Sequence, residues 1–283
     1  MREAVVIAFW FAMALLAGAT VLYAYYFVDK RRSLSISATF LTGAGFLALT
    51  ASIGLRSLTT HGTQLVGPNS LVLAAWTLVL VYFVVEHVVR LKVYGTVLVP
   101  LSVFLLAAAQ LLGVNSAAAV SLTREQLVQL QNWSVGIHVG LVMLGNAAFA
   151  VGAVASIVYL LQESQLKRHR SSTLFRRLPS LAQTDTIARR SIVVGYPAYT
   201  AALLLGVTRA VETVGPGWWL DPRVMLAGVV WVIFGIYLVF RYVRDVSGRH
   251  AAWIAVAGLV AVVILSIAAR TVPLGFHVFG VGR

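Results

Sequence analysis

The sequence predicts an all-α, polytopic membrane protein: one bundle of about eight transmembrane helices. Three observations carry this. Hydrophobic residues make up 60% of the 283 positions. Only 11% are charged, where about 25% is usual in soluble domains. Mean hydropathy is +0.89, and the apolar residues fall in runs of about 20, the length that spans a bilayer as a helix. A soluble globule has too little charge here to cover its surface.

The elements follow in chain order. The first apolar run, 4–28, is followed by Asp29-Lys30-Arg31-Arg32. It is longer than a secretory h-region, so it reads as a retained helix with a stop-transfer flank. Further runs cover 34–55, 70–89, 94–113, 134–162, 191–211, 222–243 and 251–271. Each is expected to be helical, because a lone strand in lipid leaves its backbone groups unpaired. The run 134–162 is long enough to tilt or to project from the membrane. The connection 56–69 contains His61 and the turn Gly67-Pro68-Asn69. In 114–133, Ser121-Leu122-Thr123-Arg124-Glu125 predicts the start of a short surface helix. Residues 163–190 form a strongly basic loop expected to lie against anionic headgroups. Residues 212–223 are a tryptophan-rich segment. Gly140 and Gly145 give a small-residue spacing of a kind common in membrane helices. No repeat breaks the chain, and 1–283 reads as a single transmembrane domain.

The net charge of +13 is distributed by side. With the N-terminus outside, the inner connections carry fifteen Lys and Arg and the outer side seven. That asymmetry favours an even number of spans with both termini outside. The cations lie between apolar runs, not in one patch interleaved with stacking aromatics, which argues against nucleic acid as a partner. The lipid bilayer is the partner, and a bacterial or archaeal plasma membrane the expected location. The chain has no cysteine, hence no disulfide and no thiolate metal site of its own. It also lacks the GxxxxGK[ST], GxSxG and HExxH patterns of soluble enzymes.

Histidine is the remaining metal-binding chemistry. His169 and His250 sit in basic connections. His87 follows Glu86 near the inner end of the third run, and an ionisable pair at membrane depth is a functional candidate. His138 lies near the outer end of the fifth run, and His277 follows the eighth on the same side. Two neutral imidazoles can hold one haem iron axially. Between them in sequence lies Gly215-Pro216-Gly217-Trp218-Trp219-Leu220-Asp221-Pro222-Arg223. Adjacent tryptophans offer a flat apolar surface, or simply an interfacial belt. Outer arginines, Arg56 and Arg209 among them, suit bidentate pairing with haem propionates.

Several stretches in order resemble the cytochrome c assembly protein family, the haem-handling proteins of the CcsA (ResC) and CcmC kind. Asn132-Trp133-Ser134-Val135-Gly136-Ile137-His138-Val139 resembles the W-x-x-x-H-V start of a long helix. Tyr159-Leu160-Leu161-Gln162 resembles its end, and Leu178-Pro179-Ser180-Leu181 with Asp185 the loop beyond. Trp218 to Pro222 resembles the WWD segment, W-x-W-D-P. Trp231, Tyr237-Leu238 and Arg241 resemble the next helix, and Phe276-His277 the closing G-x-H-S-Y. The similarity is strongest over 130–283; Pro68-Asn69 and Val99-Pro100-Leu101 extend it more weakly.

The resemblance implies haem b as cofactor, with His138 and His277 as its axial pair and Trp218, Trp219 and Asp221 as the platform. It implies presentation of haem at the outer face to apocytochrome c, in company with a CcsB-like membrane partner. The chain departs from the family at Leu220, where the second tryptophan stands, and at Arg223-Val224, where Lys-Glu stands. Larger members also carry a transmembrane histidine where this chain has Val239, and His87 is a candidate substitute. A degenerate WWD segment fits HemX-like proteins as well, which are associated with regulation of haem synthesis. A small-molecule transporter without haem needs a water-lined path, for which only Gln110 and Asn146 stand out. A quinone-reactive membrane subunit would usually need intramembrane histidine pairs, and only His87 lies clearly inside.

Overall fold

The computed structural model describes residues 1–60, 65–89, 92–116, 122–168, 178–244 and 248–271. Among these residues the chain is helical, with no strand. The helices are α1 (Arg2–Val28), α2 (Arg32–Thr60), α3 (Asn69–Val89), α4 (Gly95–Leu111), α5 (Arg124–Leu130), α6 (Trp133–Lys167), α7 (Leu181–Thr213), α8 (Pro222–Tyr242) and α9 (Arg249–Thr271). All but α5 are long and apolar enough to cross a membrane, which gives the eight spans expected from hydropathy. The short helix expected near Thr123 is α5. It opens with a reciprocal cap in which Thr123 accepts from the Gln126 N–H and Gln126 from the Thr123 N–H.

Two helices run well past their apolar stretches. α6 continues through Gln162, Glu163, Ser164 and Gln165 to Lys167, and α7 begins at Leu181, before its apolar run at 191. The basic connection expected over 163–190 is therefore largely helical at both ends. A second reciprocal cap, Ser180 with Gln183, fixes the start of α7. Outside the hydrocarbon, polar helix continues on capping and propensity, which hydropathy does not register.

The helices group into two compact units that divide near Trp133. In the first, α1 packs on α2 and α4, and α3 on α2 and α4, so the four close into a ring. Lipid is as apolar as leucine, so such contacts are held by close packing and hydrogen bonds, not by a hydrophobic driving force. A polar cluster, with its two tyrosines buried and its other members part-buried, does this at the basic end. Tyr23 and Tyr82 share a 2.6 Å hydroxyl contact, and Tyr23 also reaches Thr39 at 3.2 Å. Glu86 accepts from Thr39 at 3.1 Å and pairs with Lys92 at 3.6 Å. Gly95 makes room for the cluster: a Cβ there would stand 2.7 Å from the Tyr82 hydroxyl.

In the second unit α6 and α7 approach backbone to backbone. A Cβ on Gly145 would stand 2.9 Å from Tyr199, one on Gly152 2.7 Å from Ile192, and one on Gly195 2.8 Å from Ala148. The seam thus runs through Gly145 and Gly152, two turns apart; Gly140 meets open space. Phe149 of α6 stacks on Phe234 of α8 with ring centroids 3.7 Å apart. Ile192, Tyr199, Val230, Tyr237 and Ala255 complete the core around them.

Candidate functional site

The site is built at the end of the second unit where α6 begins and α7 ends. His138 lies in the second turn of α6 and is part-buried. Its Nδ1 lies 2.8 Å from the backbone oxygen of Ala202 on α7. A carbonyl only accepts, so Nδ1 carries the proton and Nε2 is the basic nitrogen of the neutral ring. This hydrogen bond also fixes the plane of the imidazole, the arrangement found behind metal-binding histidines. One turn along α7, Gly206 gives the ring its space. A Cβ there would stand 2.8 Å from Cε1 and 3.2 Å from Nδ1.

Past Gly206 on α7, Arg209 pairs through Nη1 with Glu212 at 2.7 Å. Its Nε is buried and has no hydrogen-bond partner among the described residues. α7 then gives way to Gly215-Pro216-Gly217, in which both glycines take positive φ, +73° and +100°. Only glycine adopts that backbone without strain. The turn leads into a single 3-10 turn, Trp218–Leu220, that packs against α7 and α8.

Asp221 ends this turn and caps α8, its carboxylate accepting from the Arg223 N–H at 2.8 Å. Pro222 takes the first helical position, where its missing N–H is no loss. Asp221 is buried, at 3% exposure, so its role is to fix the angle between the tryptophan turn and α8. Asp221→Ala is expected to cost about 1 kcal/mol, the usual worth of an N-cap, read as a lower melting temperature in detergent with helix content retained.

The tryptophans divide their exposure. Trp218 is half-buried, while Trp219 and Leu220 are 57% and 60% exposed. The exposed apolar pair is therefore Trp219 with Leu220, the residue that departs from W-x-W-D. The structure brings His138, Arg209, Trp218, Trp219 and Asp221 to one end of this unit. His277, together with His61 and His169, lies outside the described residues.

Arg56 belongs to the first unit, where it is buried at 9% exposure. It donates to Asn69 at 2.9 Å, to the Val114 oxygen at 2.7 Å and to Asn115 at 2.8 Å. Glu86 and His87 part company: Glu86 turns into the polar cluster, and His87 is exposed. Consecutive helical residues point about 100° apart, so a sequence neighbour is not a spatial partner.

Sequence reasoning missed a polar clasp at the opposite end of the second unit. Asp185 of α7 meets Arg241 of α8 at 2.6 Å, with Arg241 8% exposed at its side chain. Gln162 of α6 donates to the backbone oxygen of Pro179. In the sequence these residues stand out only as parts of the stretches that resemble the family. The available signal was a carboxylate and a guanidinium each set against a long apolar helix, where an unpaired charge is costly.

Eight apolar helices with polar clasps at their ends define a multi-pass membrane protein. Residues 67–277 match the model of the cytochrome C assembly protein family, and the chain belongs to that family. Its role therefore lies in cytochrome c biogenesis, among proteins that handle haem. The chain is 28% identical over 274 residues to the cytochrome c biogenesis protein CcsA of Prochlorococcus marinus strain MIT 9303, covering 88% of this chain and 85% of that one. It is 27% identical to the CcsA of Guillardia theta over 231 residues, covering 75% and 74%. It is also 37% identical to the protein HemX of Brevibacillus brevis over 105 residues, covering 37% and 39%. The match reaches back to Gly67 and so takes in the weaker stretches at Pro68-Asn69 and Val99-Pro100-Leu101.

Proposed function

We propose that this protein holds haem at the outer face of a bacterial or archaeal plasma membrane and presents it for attachment to apocytochrome c. The observation that carries the reading is the His138 imidazole, oriented by Ala202 and cleared by Gly206, at the end of its unit that also carries the exposed Trp219-Leu220 pair. The donor chemistry fits haem b: a neutral ring with Nε2 basic is suited to one axial position. His277 supplies the other axial nitrogen in this reading. Arg209 offers an unmet Nε donor for a propionate carboxylate. When bound, haem supplies the vinyl groups to which c-type cytochromes are joined. The protein positions it: His138 fixes the iron's place, Trp219 and Leu220 cover a porphyrin face, and Asp221 holds their turn in register. Such positioning is itself a rate effect. The cysteines come from apocytochrome c, because this chain has none. A CcsB-like membrane partner and termini on the outer side belong to the same proposal.

The test is maturation of a c-type cytochrome in a host lacking its own assembly protein of this family. The Trp218→Ala/Trp219→Ala chain is expected to insert normally and to lower the yield of covalent haem at least about tenfold, the scale on which lost positioning acts. Unchanged yield would remove the platform role. The match to HemX and the aliphatic Leu220 favour a second reading, regulation of haem synthesis. In that case changes in 163–190 alter haem synthesis, and the tryptophan variants leave maturation untouched.

A further inference from the structure

The ends of α6 and α9 enclose a crevice of about 500 Å³ that the haem reading does not use. Its wall is apolar, formed by Ile157 and Leu161 of α6 and by Trp253 and Val256 of α9. Leu161 and Trp253 are 53% and 54% exposed, so the crevice opens to its surroundings. Its rim is cationic: Lys167 and Arg168 close α6, and Arg249 opens α9. Glu163 is the carboxylate among the lining residues, and Lys167 pairs with it at 2.6 Å. Arg168 and Arg249 make no ion pair among the described residues. The start of α9 is held against α6 where Gly248, at φ +77°, leaves room for the Tyr159 hydroxyl, 2.6 Å from where a Cβ would stand.

We propose that this crevice binds one anionic phospholipid, its phosphate between Arg168 and Arg249 and an acyl chain along Ile157, Leu161 and Trp253. Charge and shape select that occupant. Basic pockets between transmembrane helices at the positively charged side suit anionic headgroups. A zwitterionic lipid brings an ammonium against the arginines. Inorganic phosphate would satisfy the rim and leave the apolar wall bare. Haem is disfavoured because no histidine is among the lining residues. The lipid would tie the end of α6 to the start of α9, the first and last helices of this unit.

The test is native mass spectrometry of the full chain purified in detergent, with dioleoyl phosphatidylglycerol or dioleoyl phosphatidylcholine added. The wild type is expected to retain phosphatidylglycerol preferentially. Each arginine neutralised in Arg168→Gln/Arg249→Gln is expected to cost about fivefold of that preference. Arg168→Lys/Arg249→Lys is expected to keep it. If the double Gln chain does not fold, Arg249→Gln alone carries the comparison. Equal retention of both lipids by the wild type would overturn the proposal, as would an undiminished preference in the Gln chain. Displacement of bound phosphatidylglycerol by haemin would also overturn it, assigning the crevice to haem.

Discussion

His138→Ala is expected to abolish the sharp reduced α and β bands of haem bound to the detergent-purified protein. The imidazole is the first of two axial nitrogens in the proposed site. Its orientation is fixed before haem arrives, by Nδ1–H donating to Ala202 at 2.8 Å. Loss of partners that merely orient a ligand lowers affinity about 10–100-fold; loss of the ligand itself lies above that range. The double change with His277→Ala should leave a protein that takes up no haemin. His138→Gly is the sharper variant, because added imidazole should restore the bands through the space it opens. Wild-type spectra in all of these would remove His138 from the site and move the protein toward the regulatory reading.

Gly206→Val tests the same site without touching a ligand. The added Cβ would stand 2.8 Å from Cε1 of His138, closer than real Cβ contacts allow. The ring must swing away from Ala202, losing both its orientation and its fixed tautomer. Haem affinity is expected to fall about 10–100-fold, as for the loss of any orienting partner, with helix content and melting temperature nearly unchanged. Gly206→Ala should show a smaller loss of the same kind. Unaltered haemin titration in Gly206→Val would mean that the His138 ring is not held in this position when haem binds.

The spans were legible because hydropathy and bilayer thickness set them independently of tertiary contacts. α5 was legible because a capping pattern is local, Thr123 to Gln126. The same local pattern marks the early start of α7 in Ser180 and Gln183, upstream of its apolar run. What was not legible joins positions far apart in the chain. Arg241 meets Asp185 across 56 residues, and Arg56 meets Val114 across 58. No local pattern marks such a pair. His138 was legible as a candidate by residue type and by resemblance, but its partner Ala202, 64 residues on, was not. A glycine such as Gly206 is too common in membrane helices to announce that a ring packs against it.

The length of α6 works as a ruler. Its 35 residues measure about 52 Å at 1.5 Å per residue, against about 30 Å of hydrocarbon. From His138 to Tyr159 is about 32 Å at the same rise, one bilayer's worth of apolar helix. The surplus falls mainly beyond Tyr159, on the glutamines, Glu163 and Lys167. In the proposed reading that apolar stretch registers with the lipid, with His138 at one water boundary and the helical residues Glu163 to Lys167 beyond the other. A single insertion of three or four residues between His138 and Gly145 would leave the Gly145–Gly152 seam on α7 in register, yet carry the imidazole about 5 Å, one helical turn, away from Ala202.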